Sequence, residues 1–239
     1  MRYLILSDIH SNWEALTAVL AGAEGNYDQI LSCGDLVGYG PDPNAVVDWA
    51  RANLKASIRG NHDKACVGME DLEWFNPVAR RSAEWTTEVL SVENREYLRN
   101  LAAGPLAFDD FQILHGSPAD EDEYLVTEEE ARYISTLVTT SISFFGHTHL
   151  QGGFMLHRNG VRLLPPHTFQ PENDTRYLVN PGSVGQPRDH DPHAGYAIYK
   201  PQVRLVEFGR VAYDVEETQR KIIEAGLPDL LASRLSIGK

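Results

Sequence analysis

Five short polar segments constrain the fold of this 239-residue chain, because each directly follows an apolar, strand-like run. A histidine or acidic residue at one strand end usually lies at the surface or caps a helix. Packing alone does not call for acidic residues, an asparagine and five histidines at successive strand ends, so the segments together predict one functional site. They are Asp8-Ile9-His10, Gly34-Asp35, Gly60-Asn61-His62-Asp63, His115-Gly116 and Gly146-His147-Thr148-His149.

The start of the chain alternates between strand-like and helical patterns. Apolar runs at 3–6, 29–33 and 55–58 predict strands, whereas 13–23 and 43–54 have helical spacing. Strands joined through helices pair in parallel by right-handed crossovers. Ligands of such sheets bind beyond the carboxyl ends of the strands. The five polar segments are therefore expected to meet at one edge.

The rest of the chain predicts two helices followed by a strand-rich region. A helical pair, expected as an insertion beside the sheet, covers residues 76–101, with Val78, Ser82, Trp85 and Val89 on one face. Thr127 and Glu130 have the spacing of a capping box for a helix that ends near Leu137. No linker divides the sequence, so we expect a single domain over residues 1–239. Further strands are expected at 111–115, 141–145, 153–157, 161–164, 177–180, 195–199 and 203–208, with a last helix from about 214 and a short one after 228.

The side chains of the five segments form a set of metal ligands. In an extended segment residues two apart point the same way, so we expect Asp8 and His10 to face one point, and His147 and His149 likewise. Mixed nitrogen and oxygen ligands suit Mn, Fe, Co, Ni or Zn, whereas Mg²⁺ prefers oxygen and retained waters. Seven ligands exceed the four of a structural zinc site. They suit two ions that share a bridging carboxylate.

The composition of the chain limits the kinds of partner that it can bind. The formal net charge of −13 lacks the basic surface of a general nucleic-acid-binding protein. Bound cations can still attract a phosphate to an acidic protein. Two cysteines, Cys33 and Cys66, are too few for a disulfide framework. We expect no cleaved signal, no membrane span and a cytoplasmic location.

The five segments resemble the calcineurin-like metallophosphoesterase superfamily, whose pattern is D-x-H, G-D, G-N-H-D/E, a lone H and G-H-x-H. The runs at 38–41 and 180–188 also resemble its small bacterial and archaeal members. The resemblance covers most of the chain. It implies an α/β fold, a four-layer α/β/β/α sandwich of two mixed sheets with a dinuclear metal site at strand ends.

The resemblance also implies roles for individual residues. Asp35 would bridge two divalent ions, with Mn²⁺ favoured and Fe, Zn, Ni or Co as alternatives, and His62 would be the acid–base residue. Ser11 departs from the pattern, since many members have glycine there, and we expect no disturbance from it. The remaining ligands would be Asp8, His10 and His149 for the first metal and Asn61, His115 and His147 for the second.

Each residue proposed near the substrate has a structural alternative. Asn12 either contacts a phosphate oxygen or caps the first helix, and Arg188 either binds phosphate or forms an ion pair. Tyr39 either stacks on a base or packs within its turn. Trp74 and Phe75 either line a pocket under the helical insertion or pack in the core or the cap, which is the default expectation. Asp63 is expected to orient His62 or a ligand.

The predicted function is a metal-dependent phosphoesterase, and more narrowly a phosphodiesterase. It would hydrolyse a small phosphate ester, with a nucleotide as one candidate, by attack of a metal-bridging hydroxide. Alternatives are a dinucleoside polyphosphate hydrolase, a phosphomonoesterase, or a non-catalytic binding scaffold on the same fold. An intact His62 and a full ligand set argue against the scaffold.

Overall fold

The apolar runs at the start of the chain form adjacent parallel strands in the computed structural model, which describes residues 1–239. Strand β1 (Tyr3–Leu6) pairs with β2 (Gln29–Ser32), which pairs with β3 (Ala56–Ser57). Helices α1 (Trp13–Gly22) and α2 (Pro43–Asn53) connect them. The predicted alternation of strand and helix is confirmed.

The later strands follow the predicted positions closely, although their ends differ by one to three residues. One short strand, β4, was not predicted. The strands are β4 (Leu106–Ala107), β5 (Phe111–Ile113), β6 (Ile142–Phe144), β7 (Gly152–His157), β8 (Gly160–Leu164), β9 (Arg176–Asn180), β10 (Ala194–Lys200) and β11 (Leu205–Val211).

The strands form two mixed sheets. The first has the order β11-β10-β1-β2-β3, and the second has the order β4-β5-β6-β9-β7-β8. Strand β10 is antiparallel to both β1 and β11, while β6 is parallel to both β5 and β9. Each sheet therefore combines parallel and antiparallel pairs.

The remaining helices surround the sheets. The predicted helical pair is present as α4 and α5, and the capping box of Thr127 and Glu130 opens α6, which ends at Tyr133 rather than near Leu137. None of the helices combines the length and apolar composition needed to cross a membrane. The helices are α3 (Asn61–Cys66), α4 (Pro77–Val89), α5 (Val92–Arg99), α6 (Glu128–Tyr133), α7 (Val215–Glu224) and α8 (Asp229–Ser233), with 3₁₀ turns at Leu72–Trp74, Pro201–Val203 and Leu235–Ile237.

Period-two alternation along the strands builds the layers. In β1, Leu4 faces the first helix and packs with Leu16, whereas Ile5 points to the opposite face and packs with Phe144 of the second sheet. The outer face of the second sheet packs on α6 through a third apolar cluster that contains Phe154 and Ala131. The predicted four-layer α/β/β/α sandwich is confirmed.

The buried face of α4 corrects the sequence prediction. The predicted face was Val78, Ser82, Trp85 and Val89. The side chains that the helix buries are Ala79, Ser82, Ala83 and Thr86. Small side chains let the helix come close to the site loops, because Ser82 Oγ accepts a hydrogen bond from the backbone N–H of Tyr39. Val89 is 38% exposed, so apolar spacing alone assigned the wrong stripe.

Candidate metal centre

The five polar segments converge in the structure, as predicted. Asp8 follows β1, Asp35 follows β2 and His115 follows β5. Their side chains and those of neighbouring segments form two buried groups, and within each group the donor atoms lie within 4.8 Å of one another. The groups are Asp8 with His10 and His149, and Asp35 with His115 and His147.

The backbone at these residues is not extended, so one part of the sequence reasoning is wrong. Asp8 and His10 have φ angles of 53° and 48°, and His147 and His149 have 66° and 61°. His147 and His149 consequently enter different groups instead of facing one point. Left-handed conformations cost roughly 1–2 kcal/mol per residue without glycine. Ser11, at φ 53°, shares this conformation, which explains a preference for glycine there.

In the first group two imidazole nitrogens face each other. His10 Nε2 lies 3.1 Å from His149 Nε2, which lies 3.5 Å from Asp8 Oδ1. The opposite Nδ1–H groups donate to backbone carbonyls, His10 to Val37 O at 3.0 Å and His149 to Gln186 O at 2.6 Å. A donating Nδ1–H fixes the tautomer that leaves the Nε2 lone pair free for a cation.

The second group is built in the same way, except that one imidazole ring presents its Nδ1 rather than its Nε2 to the group. His115 Nδ1–H donates to Cys33 O at 2.8 Å, and its Nε2 lies 3.3 Å from Asn61 Oδ1. His147 instead donates from Nε2–H to Asp122 O at 3.0 Å, so its Nδ1 lone pair is the free one. Oxygen and nitrogen ligands therefore converge here as well.

Asp35 belongs to the second group but also faces the first. Its Oδ2 atom is 3.4 Å from His115 Nε2 and 3.6 Å from His10 Nε2. Its Oδ1 accepts a hydrogen bond from the backbone N–H of His62 at 2.9 Å, which fixes the rotation of the carboxylate. One oxygen thus faces both groups.

Burial dominates the electrostatics of these side chains. It lowers the pKa of His10 and His149 well below the usual value and that of His147 to about 3, so these rings are neutral ligands. Burial opposes charge on His115 too, but Asp35 outweighs it and raises the His115 pKa to about 10.

The donor set fits divalent cations. Asp8 Oδ2 is buried without a hydrogen-bond donor, and burial raises the Asp8 pKa to about 6. An unsatisfied buried acceptor costs about 1–3 kcal/mol, a cost that a bound cation removes. Imidazole with carboxylate oxygen suits Mn, Fe, Co, Ni or Zn.

His62 belongs to neither group of ligands. Its ring packs against Tyr39 at a centroid distance of 4.3 Å and edge-on against Phe75 at 5.2 Å, and its Nδ1 has no partner. Burial lowers its pKa to about 4, so the ring is neutral. The ring lines the cleft beside the centre, and its buried Nδ1 lies against Gly38.

Asp63 holds the loop that carries Asp35. Its carboxylate accepts backbone N–H groups from Asp35 at 2.9 Å, Leu36 at 2.9 Å and Gly60 at 3.0 Å. Of the two predicted roles for Asp63, the orientation of a ligand is the one with hydrogen bonds behind it. None of these bonds reaches the ring of His62.

Residues 1–203 match the model of the calcineurin-like phosphoesterase superfamily domain. The chain belongs to this superfamily. A metallophosphoesterase from Sphaerobacter thermophilus is similar to this calcineurin-like phosphoesterase, with 40% identity, 100% of this chain and 99% of that chain covered, and a TM-score of 0.87.

Two archaeal proteins are also similar to it. An uncharacterized protein from Methanocaldococcus jannaschii is 34% identical, over 98% of this chain and 97% of its own length. A hypothetical protein from Pyrococcus horikoshii has the same fold, with 21% identity, a TM-score of 0.79 and coverage of 100% of this chain and 98% of that one. Family membership and the Sphaerobacter relative support a metal-dependent phosphoesterase.

A cleft opens beside the centre of this calcineurin-like phosphoesterase. It has a volume of about 300 Å³ and is lined by Asn61, His62 and His147 on the side of the centre. Trp74 and Tyr124 line it elsewhere and are 86% and 49% exposed. Core packing, the default expectation for Trp74, is therefore wrong. Tyr124 lies in a loop without apolar periodicity, so no sequence pattern indicated its role.

Of its two predicted roles, Asn12 has the structural one, which is to cap the first helix. Its Oδ1 accepts the backbone N–H of Ala15 at 3.0 Å as the cap of α1, and its Nδ2 donates to Gly185 O at 2.9 Å. The side chain is buried with both polar atoms bonded. Contact with a substrate phosphate stays a prediction.

Tyr39 and Arg188 lie next to each other at the centre. The Tyr39 ring is only 6% exposed and packs against His10 and His62, so it has no free face for stacking. The Arg188 guanidinium lies 5.6 Å from the centroid of that ring. Its one side-chain hydrogen bond goes to Gln186 Oε1 at 3.0 Å, and its Nε is buried without a partner. The structural alternative predicted for Arg188 was an ion pair, and Arg188 has no ion pair with a carboxylate.

Proposed function

We propose that this protein is a phosphodiesterase that depends on two divalent metal ions. The position of Asp35 Oδ2, 3.4 Å from His115 and 3.6 Å from His10, carries the proposal, since one oxygen can serve both ions. Mn²⁺ is the favoured ion, with Fe, Zn, Ni or Co as alternatives, because the ligands mix nitrogen and oxygen. The proposed ligands are Asp8, His10 and His149 for one ion, Asn61, His115 and His147 for the other, and Asp35 for both.

Two bound divalent ions would supply a hydroxide nucleophile at neutral pH and offset charge on the phosphoryl oxygens. The chain's own contribution begins with His62, whose ring lines the cleft beside the centre. A bound phosphate anion raises the pKa of this imidazole, which is then able to protonate the leaving oxygen. General acid catalysis of this kind contributes roughly 10²–10⁴-fold. Arg188 is proposed to hold a phosphate oxygen through its uncommitted N–H groups.

The cleft supports a diester rather than a monoester. Its lining includes the carboxylates of Glu70 and Asp122 besides the aromatic rings. Lys64 lies 3.1 Å from Glu70 and 2.6 Å from Asp122 and offsets their charge, so the aromatic rings are the surface that the neutral second ester group of a diester can contact. These walls also favour a small neutral substituent over a nucleic acid strand.

The proposal is tested with bis-p-nitrophenyl phosphate against p-nitrophenyl phosphate, on metal-stripped protein resupplied with Mn²⁺. We expect Mn²⁺-dependent cleavage of the diester, a loss of about 10²–10⁴-fold in kcat for His62→Ala, and two equivalents of metal in both proteins. His167→Ala is the matched control, because His167 is an exposed histidine outside the five segments.

Other outcomes separate the alternatives. Cleavage of the monoester alone would indicate a phosphomonoesterase. Bound metal without any cleavage would favour a scaffold or a dinucleoside polyphosphate hydrolase, and a nucleotide panel separates these two. Loss of metal from His62→Ala would contradict the separation of ligands from acid. We place the activity in the cytoplasm, which the two free, buried cysteines support.

A further inference from the structure

The cleft beside the centre is lined by an aromatic side chain, Trp74, that is both held in an ordered turn and largely exposed. Trp74 ends a 3₁₀ turn whose backbone is held by two hydrogen bonds, from Glu73 N to Asp71 Oδ1 at 2.9 Å and from Phe75 N to Leu72 O at 3.2 Å. Even so, 86% of the Trp74 surface is exposed. An ordered turn thus holds a large indole in the open next to the proposed ligands.

A second aromatic ring lines the same cleft from another loop. The Tyr124 ring lies on His147, with centroids 3.9 Å apart and planes inclined by 38°. One face of Tyr124 is therefore occupied by a proposed metal ligand, and 49% of the residue is exposed. A group attached to the phosphate at the centre can therefore meet two exposed aromatic rings in this cleft.

Polar groups accompany the rings. Asn76 Oδ1 accepts the N–H groups of Val78 and Ala79 as the cap of α4, which leaves its Nδ2 amide free. Glu70 lines the cleft as well, and Lys64 holds its carboxylate at 3.1 Å. An aliphatic group could not accept a hydrogen bond from the free Asn76 amide. A flat ring with hydrogen-bonding groups on its edge satisfies both the rings and the polar atoms.

We propose that this cleft binds a nucleobase of the substrate ester, with Trp74 as the residue that stacks on it. The inference rests on the proposed function, since it places the phosphate of the same substrate at the metal centre. A volume of about 300 Å³ is at the lower end of the range for small-molecule sites and admits one nucleoside-sized group. Stacking on an aromatic side chain is tolerant of base identity, so Trp74 selects for a base rather than for one particular base.

The test compares two ligands that differ only in the base, adenosine 5′-monophosphate and ribose 5-phosphate. Binding to the Mn²⁺-loaded protein is measured by calorimetry and by quenching of tryptophan fluorescence. We expect adenosine monophosphate to bind about 5–150-fold more tightly, which corresponds to one stacked base. Trp74→Ala is expected to abolish that difference, and Trp74→Phe to keep most of it.

Tyr133→Ala is the matched control, because Tyr133 is 85% exposed but lies outside the cleft. It should retain the full preference for adenosine monophosphate. Equal binding of the two ligands by the wild type, or an unchanged ratio in Trp74→Ala, would overturn the inference. So would an equal gain for phenyl phosphate over methyl phosphate, because a ring without a polar edge would then suffice. These are binding measurements, so absent hydrolysis would count against the proposed function alone.

Discussion

His10 Nε2 and His149 Nε2 face each other at 3.1 Å in a fully buried position. Both rings donate their Nδ1–H to backbone carbonyls, so two lone pairs point at one spot. Lone pairs in this arrangement repel each other unless a proton or a cation lies between them. Because burial lowers the pKa of both rings well below the usual value, a cation is the favoured occupant.

This relationship predicts that divalent metal stabilises the fold. Addition of Mn²⁺ to metal-stripped protein should raise the free energy of unfolding by about 2.7 kcal/mol at one hundred times the dissociation constant. The increase is measured by thermal or urea unfolding with and without metal. His149→Ala should lose much of it, while the control His167→Ala should keep it. An unfolding midpoint that does not respond to Mn²⁺ would contradict the assignment.

Because one oxygen of Asp35 faces both groups, replacing Asp35 should lower the metal content more than replacing any other single ligand. In Asp35→Asn the amide oxygen can still accept the backbone N–H of His62, so the local fold is preserved. The charge between the two groups is lost, and metal content should fall from two equivalents to below one. Elemental analysis after dialysis measures this, with the exposed Asp109→Asn as a control. Two retained equivalents would rule out a bridging role.

The ion pairs of Lys64 predict that this residue helps to position His147, although Lys64 is not itself a proposed ligand. The buried ammonium contacts Asp122 at 2.6 Å and Glu121 at 3.1 Å, and Asp122 O in turn accepts the Nε2–H of His147. Lys64→Met should cost about 1–3 kcal/mol of unfolding free energy, typical of lost charged hydrogen bonds.

Urea unfolding measures that loss, and the exposed Lys55→Met is the control. Metal affinity should fall as well, and calorimetry with Mn²⁺ reports this separately. An unchanged metal affinity together with reduced stability would mean that Lys64 only joins α3 to the loop of Asp122.

Much of the fold was predictable because it follows from local patterns. Apolar runs followed by polar segments located the strands of the first sheet, and the spacing of Thr127 and Glu130 located the start of α6. The stripe of α4 was not predictable, since Ala79 and Ala83 are buried for their small size and not for hydrophobicity. That the whole of residues 1–239 forms a single domain stays a prediction.

The metal centre, like the fold, was only partly predictable from the sequence. Residue types and order indicated which side chains meet, but the assumption of extended backbone failed at His147 and His149. Their left-handed conformations are set by contacts between distant segments, such as the bond from His147 N to Asp8 Oδ1 at 3.0 Å. The cleft was beyond sequence reasoning for a related reason. Trp74 and Tyr124 come from loops whose approach depends on the complete fold.

Arg188 offers a test of how the substrate phosphate is held. Gln186 Oε1 accepts from Arg188 at 3.0 Å and from Arg234 at 3.2 Å, and the Nε atoms of both arginines are buried without partners. Two guanidinium groups that share one neutral acceptor, with no carboxylate paired to either, suit an anion. Arg188→Gln should therefore raise the KM for the diester about 10–150-fold, equivalent to the 1.5–3 kcal/mol of a charge-assisted hydrogen bond, with a smaller change in kcat.

Arg188→Lys should recover part of the affinity, because it restores the charge but not the planar fork. The control is Arg220→Gln on α7, since Arg220 is paired with Glu217 and Glu224 at the surface. Steady-state kinetics separate the two parameters. A fall in kcat at constant KM would instead assign Arg188 to the transition state, and no change in either would leave it as a neighbour of Tyr39 only.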